Sequence, residues 1–180
     1  MRAVNMVFVT LCLGGLLSGC AAAQRAMPVT LSSANVVSLL DTIDVSEIEA
    51  AQLAKEKGSS PVVRSFAASL VEAHTENMQN NLQFAKRMRI NPEKPRLASA
   101  LESTHRNTME ELHKKSGQDF DRAYVDYQVT MHEQAVKLVE DTANSVDDTR
   151  LKQHLIRTRP DLITHLSAAR QLQRQIVAQQ

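Results

Sequence analysis

The sequence predicts an all-α protein, an up-and-down four-helix bundle with one additional shorter helix. Three observations predict it. From Ser33 onward Gly and Pro are scarce while Ala, Leu, Glu, Gln and Lys are plentiful. Apolar residues recur at steps of three and four, the spacing of a helix's buried stripe. The breaks between these runs are short, and short connections between long helices make antiparallel neighbours. No Gly-rich phosphate loop, Ser-based elbow or strand pattern occurs, so catalytic templates carried on loops have no framework here.

Taken in order, residues 1–19 read as an export signal. Arg2 stands near the start, an apolar run extends from Met6 through Leu17, and "LSGC" ends at Cys20. The run is shorter than the roughly 20 residues a membrane-spanning helix requires, and it ends in small residues suited to cleavage. This is a lipobox, so Cys20 is expected to receive a diacylglycerol and become the first residue of the mature chain. Acyl chains, at about 0.8 kcal/mol per buried methylene, would then hold the protein to a bilayer. Ala21 and Ala22 follow, without the Asp that signals inner-membrane retention in Gram-negative lipoproteins. The expected address is the periplasmic face of the outer membrane.

Residues 20–32 form a lipidated tether and 33–180 the bundle domain. Cys12 leaves with the signal and Cys20 is consumed by lipid. Since these are the two Cys of the chain, no thiol remains for a disulfide, a thiolate metal ligand or a nucleophile. The charge is nearly balanced, with no Trp, two Tyr and four Phe. Nucleic-acid binding, which needs a basic excess and stacking aromatics, is not expected. The membrane, through the lipid, is the expected partner.

The first helix is expected from Ser33 to Lys57, stopped by Gly58. "SSP" opens the second, with Ser60 as N-cap and Pro61 at the first helical position, running to about Arg89. "INPEKPR" breaks it. A shorter helix spans about Arg96 to Lys115 and is ended by Gly117. The fourth starts at "DFDRAY" and continues to about Ser145. Asp147 or Asp148 caps the fifth, in which Pro160 should kink the helix or tighten a turn. "KRMRINPEKPR" should be a solvated basic loop at the anchored end of the bundle, within reach of anionic head groups.

Each long helix has one ionisable residue in its apolar seam. In "YVDYQVTMHEQAVKLVEDTA" the seam of Val125, Val129, Val136 and Val139 is interrupted by His132. Glu47 interrupts Val36, Leu40, Ile43, Ala50 and Ala54. His74 interrupts Val63, Ala67, Leu70, Met78 and Ala85. His165 interrupts Leu155, Leu162, Ala169 and Leu172. At about 1.5 Å rise per residue, all four lie roughly 20 Å from one end of their helices, near the middle of a bundle about 40 Å long. They are therefore placed to meet in one layer.

Two readings of that layer stand. Imidazoles and a carboxylate converging in a bundle core suit one transition metal ion, Zn, Cu or Fe, with Met78 or Met131 as soft neighbours. Alternatively, Glu47 accepts hydrogen bonds from the rings in a metal-free layer that fixes helix pairing. Glu102–His105 and Glu110–His113 have the Glu-x-x-His spacing of di-iron bundles, but both fall on one short helix. They read as solvated faces, His105 partly packed, and His154 reads as surface.

Several segments together identify a family resemblance: "VSEIEAAQLAKEKGSSPVVRSFAASLVEAHTENMQNNL", "SGQDFDRAYVDYQVTMHEQAVKLVE", "DDTRLKQHLIRTRPDLITHLSAARQL" and the lipobox leader. The chain resembles the bacterial domain of unknown function 4142 (DUF4142), a family of exported and outer-membrane proteins. The resemblance implies a ferritin-like four-helix fold and matches the family's His positions at His74, His132 and His165 and its acidic position at Glu47. Glu72 and Arg159 depart from the usual residues. The family has no settled activity, so the resemblance supplies fold and address. The reading carried forward is an outer-membrane lipoprotein with a Glu/His layer as candidate metal site, a binding protein rather than an enzyme. The alternatives are an envelope structural or stress-response protein acting through lipid, peptidoglycan or protein contacts, and a metal-dependent redox enzyme.

Overall fold

The computed structural model describes residues 31–178, and all of its regular structure is helical. Five helices follow one another: α1 (Ser33–Lys57), α2 (Pro61–Met88), α3 (Arg96–Lys114), α4 (Gly117–Ser145) and α5 (Thr149–Ala178). The export signal, Cys20 and all of the expected tether before Leu31 lie outside the described residues. Among the described residues, no helix is long and apolar enough to cross a membrane.

The two hairpins α1–α2 and α4–α5 are the main packing units. They join through α1 against α4 and α2 against α5, while the shorter α3 lies across α1 and α4. The four long helices and one accessory helix match the sequence expectation.

Local chemistry sets the helix ends. At Ser32 a reciprocal capping box is formed. Its hydroxyl accepts from the Asn35 amide at 3.1 Å, and the Asn35 side chain accepts from the Ser32 amide at 3.3 Å. Ser60 occupies the expected N-cap of α2 without using its own hydroxyl there. The acceptor comes from α4: the Asp121 carboxylate takes both the Ser59 and Ser60 amides at 2.8 Å and the Ser59 hydroxyl at 2.6 Å. At α5 the cap is Asp148, whose carboxylate accepts from the Arg150 amide at 2.9 Å.

Gly117, expected to end α3, instead begins α4 with φ of +58°, a left-handed conformation that Gly adopts without penalty. The α3 helix stops at Lys114, and α4 starts before the "DFDRAY" run. Arg89 closes α2 with φ 53° and ψ 35°, the left-handed cap usually given to Gly or Asn. Pro160 lies inside α5, which continues past it; the carbonyl that loses its amide partner belongs to exposed Ile156, where water can take the bond.

The core has two apolar clusters. One holds Val36, Leu40, Ile43, Phe84, Ala135, Val139, Leu155 and Leu162. The other holds Ala50, Ala54, Leu70, Phe120, Val125 and Leu172. On every long helix the polar intruder falls between residues of the two clusters: Glu47 between Ile43 and Ala50, His74 between Leu70 and Phe84, His132 between Val125 and Ala135, His165 between Leu162 and Leu172. A polar layer thus separates two dry halves.

Candidate metal centre

The three histidines of the layer meet. His74 comes from α2, His132 from α4 and His165 from α5, with ring centroids 5.6, 5.4 and 5.3 Å apart in a nearly equilateral triangle. Each offers one nitrogen such that all three lie within 4.8 Å of one another. A tetrahedral ion at ordinary imidazole distances needs its nitrogens about 3.4 Å apart, so the rings have to close by roughly an ångström.

The opposite ring positions explain how two of the rings are aimed. His132 Nδ1 lies 3.0 Å from the Gln128 carbonyl. A carbonyl only accepts, so Nδ1 carries the proton and Nε2 presents its lone pair. His74 Nδ1 lies 2.8 Å from the Asp44 carboxylate and donates to it. The result is a carboxylate–histidine pair of the kind that orients metal-binding imidazoles and raises their basicity. His74 Nε2, His132 Nε2 and His165 Nδ1 are all buried and without a hydrogen-bond partner.

Electrostatics distinguishes the three. Burial depresses the His132 pKa to about 3, aided by the charge of His74. Burial and the charge of His74 take His165 to about 4. His74 differs: burial pulls its pKa down, but the Asp44 hydrogen bond and the charges of Glu47 and Asp44 reverse this and leave it raised. Burial thus favours neutral rings at His132 and His165, while Asp44 and Glu47 favour the proton on His74, with which a metal ion would compete.

Glu47 occupies the same layer, 1% exposed, with neither carboxylate oxygen in a hydrogen bond. Its oxygens fall outside the mutually close set formed by the three histidines. Burial pushes its pKa up to about 7 against the charge of His74 and the nearby Gln128 amide, which does not reach hydrogen-bond geometry. Buried Tyr124 and Gln128 also have unpartnered side-chain oxygens, and Gln128 an unpartnered amide nitrogen.

Sequence reasoning missed Asp44 and Gln128. Asp41, Asp44 and Glu47 step by three along one face of α1, and Gln128 lies one turn before His132; both are legible as helical neighbours of the intruders. Met131 is buried and lines an apolar groove with Ile43, Leu97 and Leu101.

His154 differs from expectation, and His105 goes beyond the partial packing expected of it. His154 is buried, stacked 4.2 Å from Phe84 at an interplanar angle of 1°, with Nε2 3.1 Å from the Asn81 side-chain oxygen. A polar partner and a flat ring let it pack where only a surface role was read. His105 is likewise buried, between the Tyr127 hydroxyl at 3.0 Å and Glu49 at 3.1 Å. Glu110 and His113 are exposed, and Glu102 pairs with Lys94, so neither Glu-x-x-His run assembles a ligand set.

Neither a curated protein nor a solved structure matches the chain. One family model does, described as "Domain of unknown function (DUF4142)", over residues 18–172. That span contains all five helices up to Leu172 of the last, and with them Glu47 and the three histidines. The chain belongs to the DUF4142 family.

Proposed function

We propose that this protein is a lipoprotein, anchored through Cys20 to the periplasmic face of the outer membrane, whose helical bundle binds one transition metal ion through His74, His132 and His165. One observation carries the metal reading: three imidazoles from three different helices converge with a free buried nitrogen each, two of them aimed by an acceptor on the opposite nitrogen. Imidazole donors suit Zn, Cu or Fe, and a trio that offers nitrogen and no oxygen does not favour hard ions such as Ca or Mg.

A purely structural polar layer would be expected to pair its members. Here Glu47 and Gln128 have no side-chain partner, a costly arrangement for a group whose only task is to fix helix register. The test is metal analysis of protein purified without a His-tag, followed by calorimetric titration. One ion per chain is expected, with binding lost in His74→Ala, His132→Ala and His165→Ala. Substoichiometric binding, or binding indifferent to these three substitutions, would leave the layer as architecture.

A further inference from the structure

Three imidazoles do not close a metal's coordination. Structural sites of tetrahedral metals use four protein ligands, whereas three leave a position for an exogenous ligand. Among the described residues, the close set contains only His74, His132 and His165.

Three further polar side chains on α1 and α4 are buried with unpartnered atoms. Tyr124, Gln128 and His132 follow one another at intervals of four along α4, so they form one stripe of that helix. Glu47 belongs to the same layer on α1, which packs against α4. Tyr124 and Gln128 are fully buried and Glu47 is 1% exposed. Five of their atoms have no partner: both oxygens of Glu47, the Tyr124 hydroxyl, and the oxygen and nitrogen of the Gln128 amide.

An unpartnered buried polar atom costs about 1 to 3 kcal/mol, and a Leu at any of these positions would avoid that cost. The stripe therefore matches something that both donates and accepts hydrogen bonds. A carboxylate accepts, a phenol does both and an amide does both. An apolar molecule answers none of this and a thiol only weakly, but water does.

Resting on the metal reading above, we propose that the ion held by the three histidines keeps one coordination position for an exogenous oxygen ligand, a water that small anions displace. Glu47 and Gln128 form the polar wall that receives this ligand, with Tyr124 next along the α4 stripe. Glu47 then acts across the ligand and does not itself bind the metal.

Cobalt(II) and azide test this, using the full chain in detergent at pH 8. Cobalt reports its coordination in the visible spectrum, and azide is a small anion that competes for an open position. Wild-type protein is expected to take one cobalt per chain and to change its spectrum reversibly on adding azide. Glu47→Gln should keep the cobalt and the response, with azide binding about tenfold tighter because a negative charge facing the anion is gone, a change of about 1.4 kcal/mol. Helical circular dichroism of the variant checks that it is folded. If Glu47 is instead a fourth ligand, the wild-type spectrum is indifferent to azide and only Glu47→Gln responds, which overturns the proposal while leaving the metal site standing. An azide response that is unchanged by both Glu47→Gln and Tyr124→Phe removes the wall from the account. If wild-type protein takes no cobalt, or His132→Ala takes it equally well, the metal reading fails, and this proposal with it.

Discussion

At His132 the ring donates from Nδ1 to the carbonyl one turn back and holds Nε2 free inside the bundle. Leu would pack as well and need no partner, so what this His adds is a lone pair. Because bound metal and protons compete for that lone pair, affinity should fall on acidification. His74 sets the upper edge of the fall, since its pKa is raised while those of His132 and His165 are lowered to about 3 and about 4. Isothermal titration from pH 8 to pH 5 should show weakening that begins near the titration of His74; affinity constant over that range would contradict coordination by His74. Without metal, the two kinds of group act on stability in opposite senses. Glu47 has a raised pKa, so its contribution is intact below its unfolded value of 4.5 and lost as pH rises through about 7. His132 and His165 have lowered values, so theirs are intact above 6.5 and lost as pH falls toward about 3 and 4. Glu47→Gln should therefore stabilise the metal-free protein at pH 8 relative to pH 4.5, by about 3 kcal/mol for a displacement of this size. Denaturant midpoints of the two proteins at the two pH values check it, and equal differences at both would contradict the burial of an ionised Glu47.

At the scale of the element, the turn between α1 and α2 is held from a distance. Gly58 has φ of −55°, which any residue adopts, so its requirement is space: a Cβ there would lie 2.6 Å from the Ala54 carbonyl oxygen. Gly58→Ala should destabilise by about 1 to 3 kcal/mol in urea denaturation; a neutral result would mean that the turn moves aside freely. Asp121 bonds the same turn to α4 with three acceptor contacts, and Asp121→Ala should cost about 2 kcal/mol or more because the Ser59 and Ser60 amides lose their acceptor. At the other end, Arg89 accepts a left-handed conformation that costs an L-residue about 1 to 2 kcal/mol. Arg89→Gly relieves this, offset in part by greater chain entropy, and should raise the melting temperature slightly.

For the whole molecule, apolar clusters on both sides of the polar layer provide most of the burial, and the helices are long enough to be stabilised by it. Metal-free protein should therefore keep its helical circular dichroism in the presence of a chelator; loss of that signal would make the ion part of the folding core. The basic loop after α2 folds back to the start of α1: the Asn35 side chain donates to the Glu93 carbonyl at 3.0 Å, and the Glu93 amide to Ala34 at 3.2 Å. The loop therefore sits beside the start of α1, as the up-and-down order required. Cys20→Ser should release the protein from membranes and abolish fatty-acid labelling, and unchanged fractionation would contradict the anchor.

The sequence by itself determined the five helices, their order and the depth of the four intruders, because periodicity, breakers and rise per residue are local quantities. It also determined that Glu47, His74, His132 and His165 share a layer, since short turns leave antiparallel helices little freedom to slide. Only the tertiary structure decided which atoms in that layer meet. The rotation of each helix about its axis brings the three rings into a triangle and leaves Glu47 outside the close set, and no single-helix pattern specifies that rotation. The same rotation buried His105 and His154, which lie on faces that look polar along their own helices until Tyr127, Glu49, Asn81 and Phe84 arrive from other elements. Polar partners supplied across the bundle make such burial possible, and they are absent from any local window of the chain.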